Sequence, residues 1–410
     1  MISSLHFFLL GIASTELLIL IYSGTNDFVA MILILFLSFL HIFLVAYVIL
    51  TKFTLVQKMN HSVTIFIVLA KVFSFSSIFF ISYFLNDKLG SLIPADAEII
   101  HIPQIEAITE LILTNRPLPE LGPFGTYYLS NYYFSILSII FNDNIYLAVM
   151  VGTTILLCLN VLLIYRNCIL YFGNRHSGLF AIILVFMSQS FFFYSLQLYK
   201  ECFFYLIVNL LIHFIIKRNF ILAIFLVLII AHERFYAGAI IVFAGVLVGL
   251  TQGSNRVKLS SMLLLTVLIA GYASMKPNSF HFWVIIEVLN GFRSGHSVSD
   301  AGNAVAFPFS IIQVLLTPIP NLYKIQNWIY QDRLLINAFF FSALSTYSVF
   351  KLLIRRNDPF ISWAIYTFLG YTLLWSWVAP FNGRARDGIF PLVIMLIIAS
   401  FSKIKSSGEK

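Results

Sequence analysis

A chain of 410 residues with 60% hydrophobic and 10% charged side chains falls outside the range of soluble domains, which are about 45–50% apolar and about 25% charged. Apolar runs of roughly 20 residues recur from end to end, each long enough to cross a hydrocarbon core about 30 Å thick. They lack the alternation of an outer-membrane barrel. The net charge of +8 sits mostly in short connections between the runs, as in cytoplasmic loops, so nucleic acid is not an expected partner.

In chain order the runs predict twelve helical spans, near 5–23, 28–50, 62–85, 145–164, 177–195, 201–216, 219–231, 235–251, 259–275, 334–354, 359–378 and 388–402. The expected fold is an all-α polytopic transmembrane bundle, a single integral membrane domain over 1–410. The first run has no basic segment before it and contains Glu16, which favours a first membrane helix over a cleaved signal peptide. Glu16 and Lys71 are isolated within spans; they pair with each other or snorkel separately. Cys158, Cys168 and Cys202 form no CxxC pair and read as buried apolar thiols.

With the N-terminus in the cytoplasm, the inner segments hold fourteen bases against two acids, Asp358 and Glu409. The outer segments hold ten bases and fourteen acids. Both termini are therefore expected inside. Two long segments, 86–144 and 276–333, then lie on the outer face, and long loops of this kind are usually functional. In the first, Ile105, Ile108, Leu111 and Ile112 share one helical face after Pro103, with Glu106 and Glu110 opposite. That spacing predicts an amphipathic helix at the interface. Gly122-Pro-Phe-Gly125 follows, then Tyr127, Tyr128, Tyr132 and Tyr133 before an apolar stretch ending at Phe141. In the second, a Gly- and Ser-rich stretch precedes a short apolar piece, 307–317, read as re-entrant or interfacial.

Charges near membrane depth are costly and each needs a reason. Asp96 and Glu98, two residues apart with His101 nearby, suit a general base or part of a divalent-cation site; a solvated acidic loop is the competing reading. Lys200-Glu201 and His232-Glu233-Arg234 fall in short outer turns, where interfacial charges satisfying a hairpin are the plain alternative. Arg384 and Arg386 oppose the charge bias just before the last span. Their guanidinium forks suit a phosphate or diphosphate, while positioning against Asp387 is the structural alternative. No Walker, GxGxxG, HExxH or GxSxG motif appears.

Taken in order, the Asp-x-Glu loop, the amphipathic helix, Gly122-Pro-Phe-Gly-Thr-Tyr-Tyr128, Lys200-Glu201 and Asn382-Gly-Arg-Ala-Arg386 with Pro391 resemble the GT-C superfamily of membrane glycosyltransferases. The resemblance covers about residues 90–400 and rests on short motifs. It implies transfer of a sugar from a polyprenyl-phosphate-linked donor to a glycan, lipid or protein acceptor on the outer face of a bacterial inner membrane. It gives Asp96, or else Glu98, the role of base or acceptor-orienting carboxylate. Lys200 and Glu201 match a mid-chain pair, and Arg384 or Arg386 matches the arginine that holds the lipid phosphate, with Lys200 and Arg234 as further cations. Family members usually carry the acidic loop after the first span, whereas here two spans precede that hairpin. Residues 1–61 are thus an added N-terminal hairpin, or the alignment shifts. An O-antigen or capsular polysaccharide polymerase is the neighbouring alternative, and a lipid-linked oligosaccharide flippase or transporter the alternative from another class.

Overall fold

The computed structural model describes residues 69, 72, 76, 101–116, 129–188, 191, 195–196, 201–262, 330–354, 358–378 and 388–402. Among these residues the secondary structure is helix and turn, with no strand. The main helices are α1 (Ile102–Leu113), α2 (Leu129–Ile140), α3 (Ile145–Phe172), α4 (Arg175–Met187) and α5 (Glu201–Ile216). They continue with α6 (Phe220–Glu233), α7 (Phe235–Gln252), α8 (Tyr330–Leu353), α9 (Pro359–Val378) and α10 (Phe390–Phe401). The all-α expectation is met. By length and composition Leu147–Phe172 alone among the described residues is long and apolar enough to cross a membrane, and several other helices are apolar but shorter.

Helix ends follow local chemistry. Asn144 caps α3 by accepting from the Leu147 amide at 3.0 Å, and Asn174 caps α4 by accepting from the Ser177 amide at 2.8 Å. Asp358 accepts from the Ile361 amide at 3.0 Å, where Pro359 opens α9 without needing a donor. The sequence reading stops the α3 span at 164, but the helix runs on to Phe172. Gly173, at φ 67°, supplies the left-handed residue that ends it, and such a residue costs glycine nothing. Arg166 is thus an exposed residue on the helix and not part of a loop.

Backbone contacts divide the chain into two units, the first ending at Leu206 and also taking Asn321–Leu334. In the first unit α1 packs on α2, α2 on α3 and α3 on α4. The amphipathic reading of α1 holds at its centre: Ile105 and Ile108 are buried, while Glu106 and Glu110 are exposed. At Gly152 a Cβ would stand 2.7 Å from Leu137 and 2.9 Å from Phe134, which is how closely α2 approaches α3. Cys158, Cys168 and Cys202 are free thiols and buried, as expected.

In the second unit α6 and α7 form a hairpin, α7 packs on α9 and α9 on α10. The Trp363 indole donates to the Ile241 carbonyl at 3.2 Å, and Gln252 donates to the Ser362 hydroxyl at 2.6 Å. Every residue from Phe390 to Ser400 is buried, so α10 is a core helix, apolar on all sides. By contrast α6 turns Ile221 (82% exposed), Ile224, Phe225 and Leu228 outward. An outward apolar face of this kind marks contact with a membrane or another protein.

The α6–α7 hairpin closes on a glycine. A Cβ at Gly238 would lie 2.5 Å from the Ala231 Cβ and 2.8 Å from its Cα. The Ala231 backbone has no rotamer through which to yield, so Gly238→Val should destabilise this hairpin by about 1–3 kcal/mol, the usual cost of overpacking. A thermal melt of the purified protein checks this; Gly245→Val, with nothing within 4 Å of its added carbon, should melt near wild type.

Candidate functional site

Asp96, Glu98, Lys200, Arg384 and Arg386 lie outside the described residues, as does most of 276–333. His101, Glu201 and Arg234 are described, and all three are buried. His101 and Glu201 belong to the first unit and Arg234 to the second.

His101 stands at the start of α1. Its Nδ1 is 3.0 Å from the Asn131 Oδ1 on α2, and the Asn131 amide donates to the Gln104 Oε1 at 2.6 Å. Because Asn131 spends its NH₂ on Gln104, its oxygen faces the ring, and a neutral His101 carries its proton on Nδ1. One helical turn on, the Ser135 hydroxyl shares its proton between the Asn131 carbonyl of its own helix at 2.7 Å and the Ile105 carbonyl of α1 at 3.0 Å. Tyr133 ties the same helix to α3 by donating to the Gly152 carbonyl at 3.0 Å. Burial pushes the Tyr133 hydroxyl up to about 12, so it remains a donor at physiological pH.

Glu201 is the first residue of α5 and 4% exposed. The sequence reading puts it in a surface turn, but its neighbour Cys202 meets the middle of α3. The Asn160 amide donates to the Cys202 carbonyl at 2.9 Å, and the Cys202 thiol points to the Thr153 carbonyl at 3.8 Å. Thr153 and Asn160 lie about 12 Å and about 22 Å along α3 from its start, at 1.5 Å per residue. The carboxylate therefore begins α5 well inside the span of α3. Along α5 the polar residues Glu201, Tyr205, Asn209 and His213 recur every fourth position, and all are buried.

Arg234 is the single residue between α6 and α7. Extended at φ −148° and ψ 91°, it ends one helix and starts the next. Its amide donates to the Ile230 carbonyl at 2.7 Å, and its own carbonyl accepts from the Ala237 and Gly238 amides at 2.9 and 3.2 Å. The joint carries Glu233 at 3% and Arg234 at 7% exposure, so these are not the solvated hairpin charges that a surface turn would show. Beside them Tyr236 meets Tyr371 edge to face, with ring centroids 6.2 Å apart, and Tyr371 lies within electrostatic range of Arg234. A guanidinium withdrawn from water costs several kcal/mol unless it is compensated, which is why such residues mark functional positions in membrane proteins.

Sequence reasoning missed Asn131, Thr153 and Asn160. The signal for the last two was present: Thr153, Asn160 and Asn167 repeat every seven residues along an otherwise apolar run, and all three are buried. Among the described residues no three His, Cys, Asp or Glu side chains gather to hold a metal ion. The chain matches no protein-family model, no characterised protein and no solved structure.

Proposed function

We propose that the chain is an integral membrane glycosyltransferase of the GT-C type, which moves a sugar from a polyprenyl-phosphate-linked donor to a glycan, lipid or protein acceptor on the outer face of a bacterial inner membrane. The observation that carries this reading is Arg234, 7% exposed at a one-residue joint between two apolar helices. A guanidinium held there offers a fork of donors to a phosphate whose lipid tail stays in hydrocarbon. The outward apolar face of α6 supports the membrane setting.

A sugar on a lipid phosphate already has a good leaving group. The enzyme needs a carboxylate to take the proton of the acceptor hydroxyl and cations to stabilise charge on the departing phosphate. Asp96, or else Glu98, fills the first role; Arg384, Arg386, Lys200 and Arg234 fill the second. A divalent cation held by the acidic loop would supply further charge at the phosphate. Membranes carrying the chain should release polyprenyl phosphate from a radiolabelled polyprenyl-phosphate sugar, and membranes carrying Arg234→Ala should release much less. Equal release from both would remove Arg234 from the site.

The reading includes twelve spans with both termini in the cytoplasm and the loops 86–144 and 276–333 outside. Single cysteines placed in these loops, on a background with Cys158, Cys168 and Cys202 replaced, should react with an impermeant maleimide in intact cells. Labelling that needs cell lysis would reverse the orientation and put the acidic loop on the wrong side for this chemistry.

A further inference from the structure

We infer that one face of α3, which also lies beside Leu196, is a clamp on the start of α5, and that Asn160 is a positioning residue for the Glu201 carboxylate. The chain on the entering side includes Ser195 and Leu196, and on the leaving side Cys202. Thr153 lies beside both: its hydroxyl donates to the Val149 carbonyl at 2.7 Å and passes 3.5 Å from the Leu196 carbonyl without donating to it. Its own carbonyl is 3.8 Å from the Cys202 thiol. Two turns further along α3, Asn160 makes the strongest tie. Its amide donates to the Cys202 carbonyl at 2.9 Å and lies 3.8 Å from the sulfur. Thr153, Asn160, Ser195, Leu196 and Cys202 are each fully buried.

The first carbonyls of a helix already receive an amide from the next turn, so α5 would form without Asn160. What the second donor fixes is where α5 begins against α3, and therefore where the side chain next in sequence stands. In an apolar surround a buried amide donor has no water to turn to. The bond to Cys202 is thus held continuously, and Glu201 is held with it at one depth. The inference rests on the transferase reading only for the match of Glu201 to the mid-chain pair of that superfamily; the clamp itself is a property of the first unit.

The test uses the full-length protein in membranes and dicyclohexylcarbodiimide, an apolar reagent that adds to protonated carboxyl groups, with adducts located by mass spectrometry. Glu233, a second buried carboxylate in the other unit, is the internal standard. Asn160→Leu keeps the volume and removes the donor. It should change the labelling rate of Glu201 severalfold and leave Glu233 at its wild-type rate, whereas general loosening would raise both. Asn160→Gln, which retains an amide donor, should bring Glu201 back towards the wild-type rate. No change at Glu201, or parallel changes at both carboxylates in the Leu and Gln variants alike, would overturn the clamp. Because labelling needs no sugar transfer, a clamp that holds in a protein with no transfer activity would count against the transferase reading alone.

Discussion

Replacing Asp96 by Asn is expected to lower sugar transfer by about 10²–10⁴-fold, the usual worth of a general base, while leaving folding and lipid binding intact. The amide has nearly the shape of the carboxylate but cannot take the proton of the acceptor hydroxyl. In the sequence Asp96 follows Pro94 shortly after the predicted third span. Glu98→Gln should cost less if Glu98 faces water, and as much if the two acids share a cation. Turnover at saturating donor, measured beside the thermal melt of each variant, separates these outcomes. An Asp96→Asn protein with wild-type turnover would pass the role to Glu98 or Glu201, or favour the transporter alternative.

The arginines carry the second large effect. Arg→Lys preserves charge but replaces a planar fork of donors by a point charge, which is not conservative where two phosphate oxygens are gripped at once. On the transferase reading one of Arg384, Arg386 and Arg234 grips the phosphate, and its Lys variant should lose about 1.5–3 kcal/mol of transition-state binding, the worth of a charged hydrogen bond. That corresponds to roughly 10–150-fold in kcat/KM. For Arg234 a melt is needed alongside the kinetics, because the residue is buried and its backbone joins α6 to α7. If all three Lys variants transfer sugar like wild type, the arginines serve topology or loop structure.

Much of the helical order was legible because charge and turn chemistry bracket the apolar runs. Lys200-Glu201 and Lys217-Arg218 enclose the run that becomes α5, and the predicted limits of 201 and 216 match it. Pro103 and the spacing of Ile105 and Ile108 against Glu106 and Glu110 were sufficient to define α1 and its buried face. The end of α3 was missed because a polar interruption, Tyr165-Arg166-Asn167, looks like a loop when helix ends are judged by hydropathy. The helix instead passes through it with Arg166 exposed and Asn167 buried, and stops where glycine permits a cap.

The site was less legible for a different reason. Asn131 and Asn160 act through partners 30 and 42 residues away, and no local pattern in the sequence specifies such pairings. Depth was lost in the same way: a short connection before Glu201 reads as a surface turn unless it is known that Cys202 meets the middle of α3. The burial of Glu233 and Arg234 likewise depends on how α6 closes on α7 at Ala231 and Gly238. What the sequence did supply was the identity of the charged groups that interrupt the apolar runs; among the described ones His101, Glu201, Glu233 and Arg234 are buried, while Arg166, Lys217 and Arg218 are exposed.

The most direct measurement is donor specificity with the purified protein reconstituted in lipid nanodiscs. Short-chain polyprenyl monophosphate and diphosphate donors, each carrying a labelled sugar, are supplied separately with a crude acceptor fraction, and the released lipid is identified by mass spectrometry. The transferase account predicts consumption of the monophosphate donor, release of polyprenyl phosphate, and loss of both with Asp96→Asn. Consumption of the diphosphate donor alone would identify a polymerase, and release from neither donor would contradict the account at its centre.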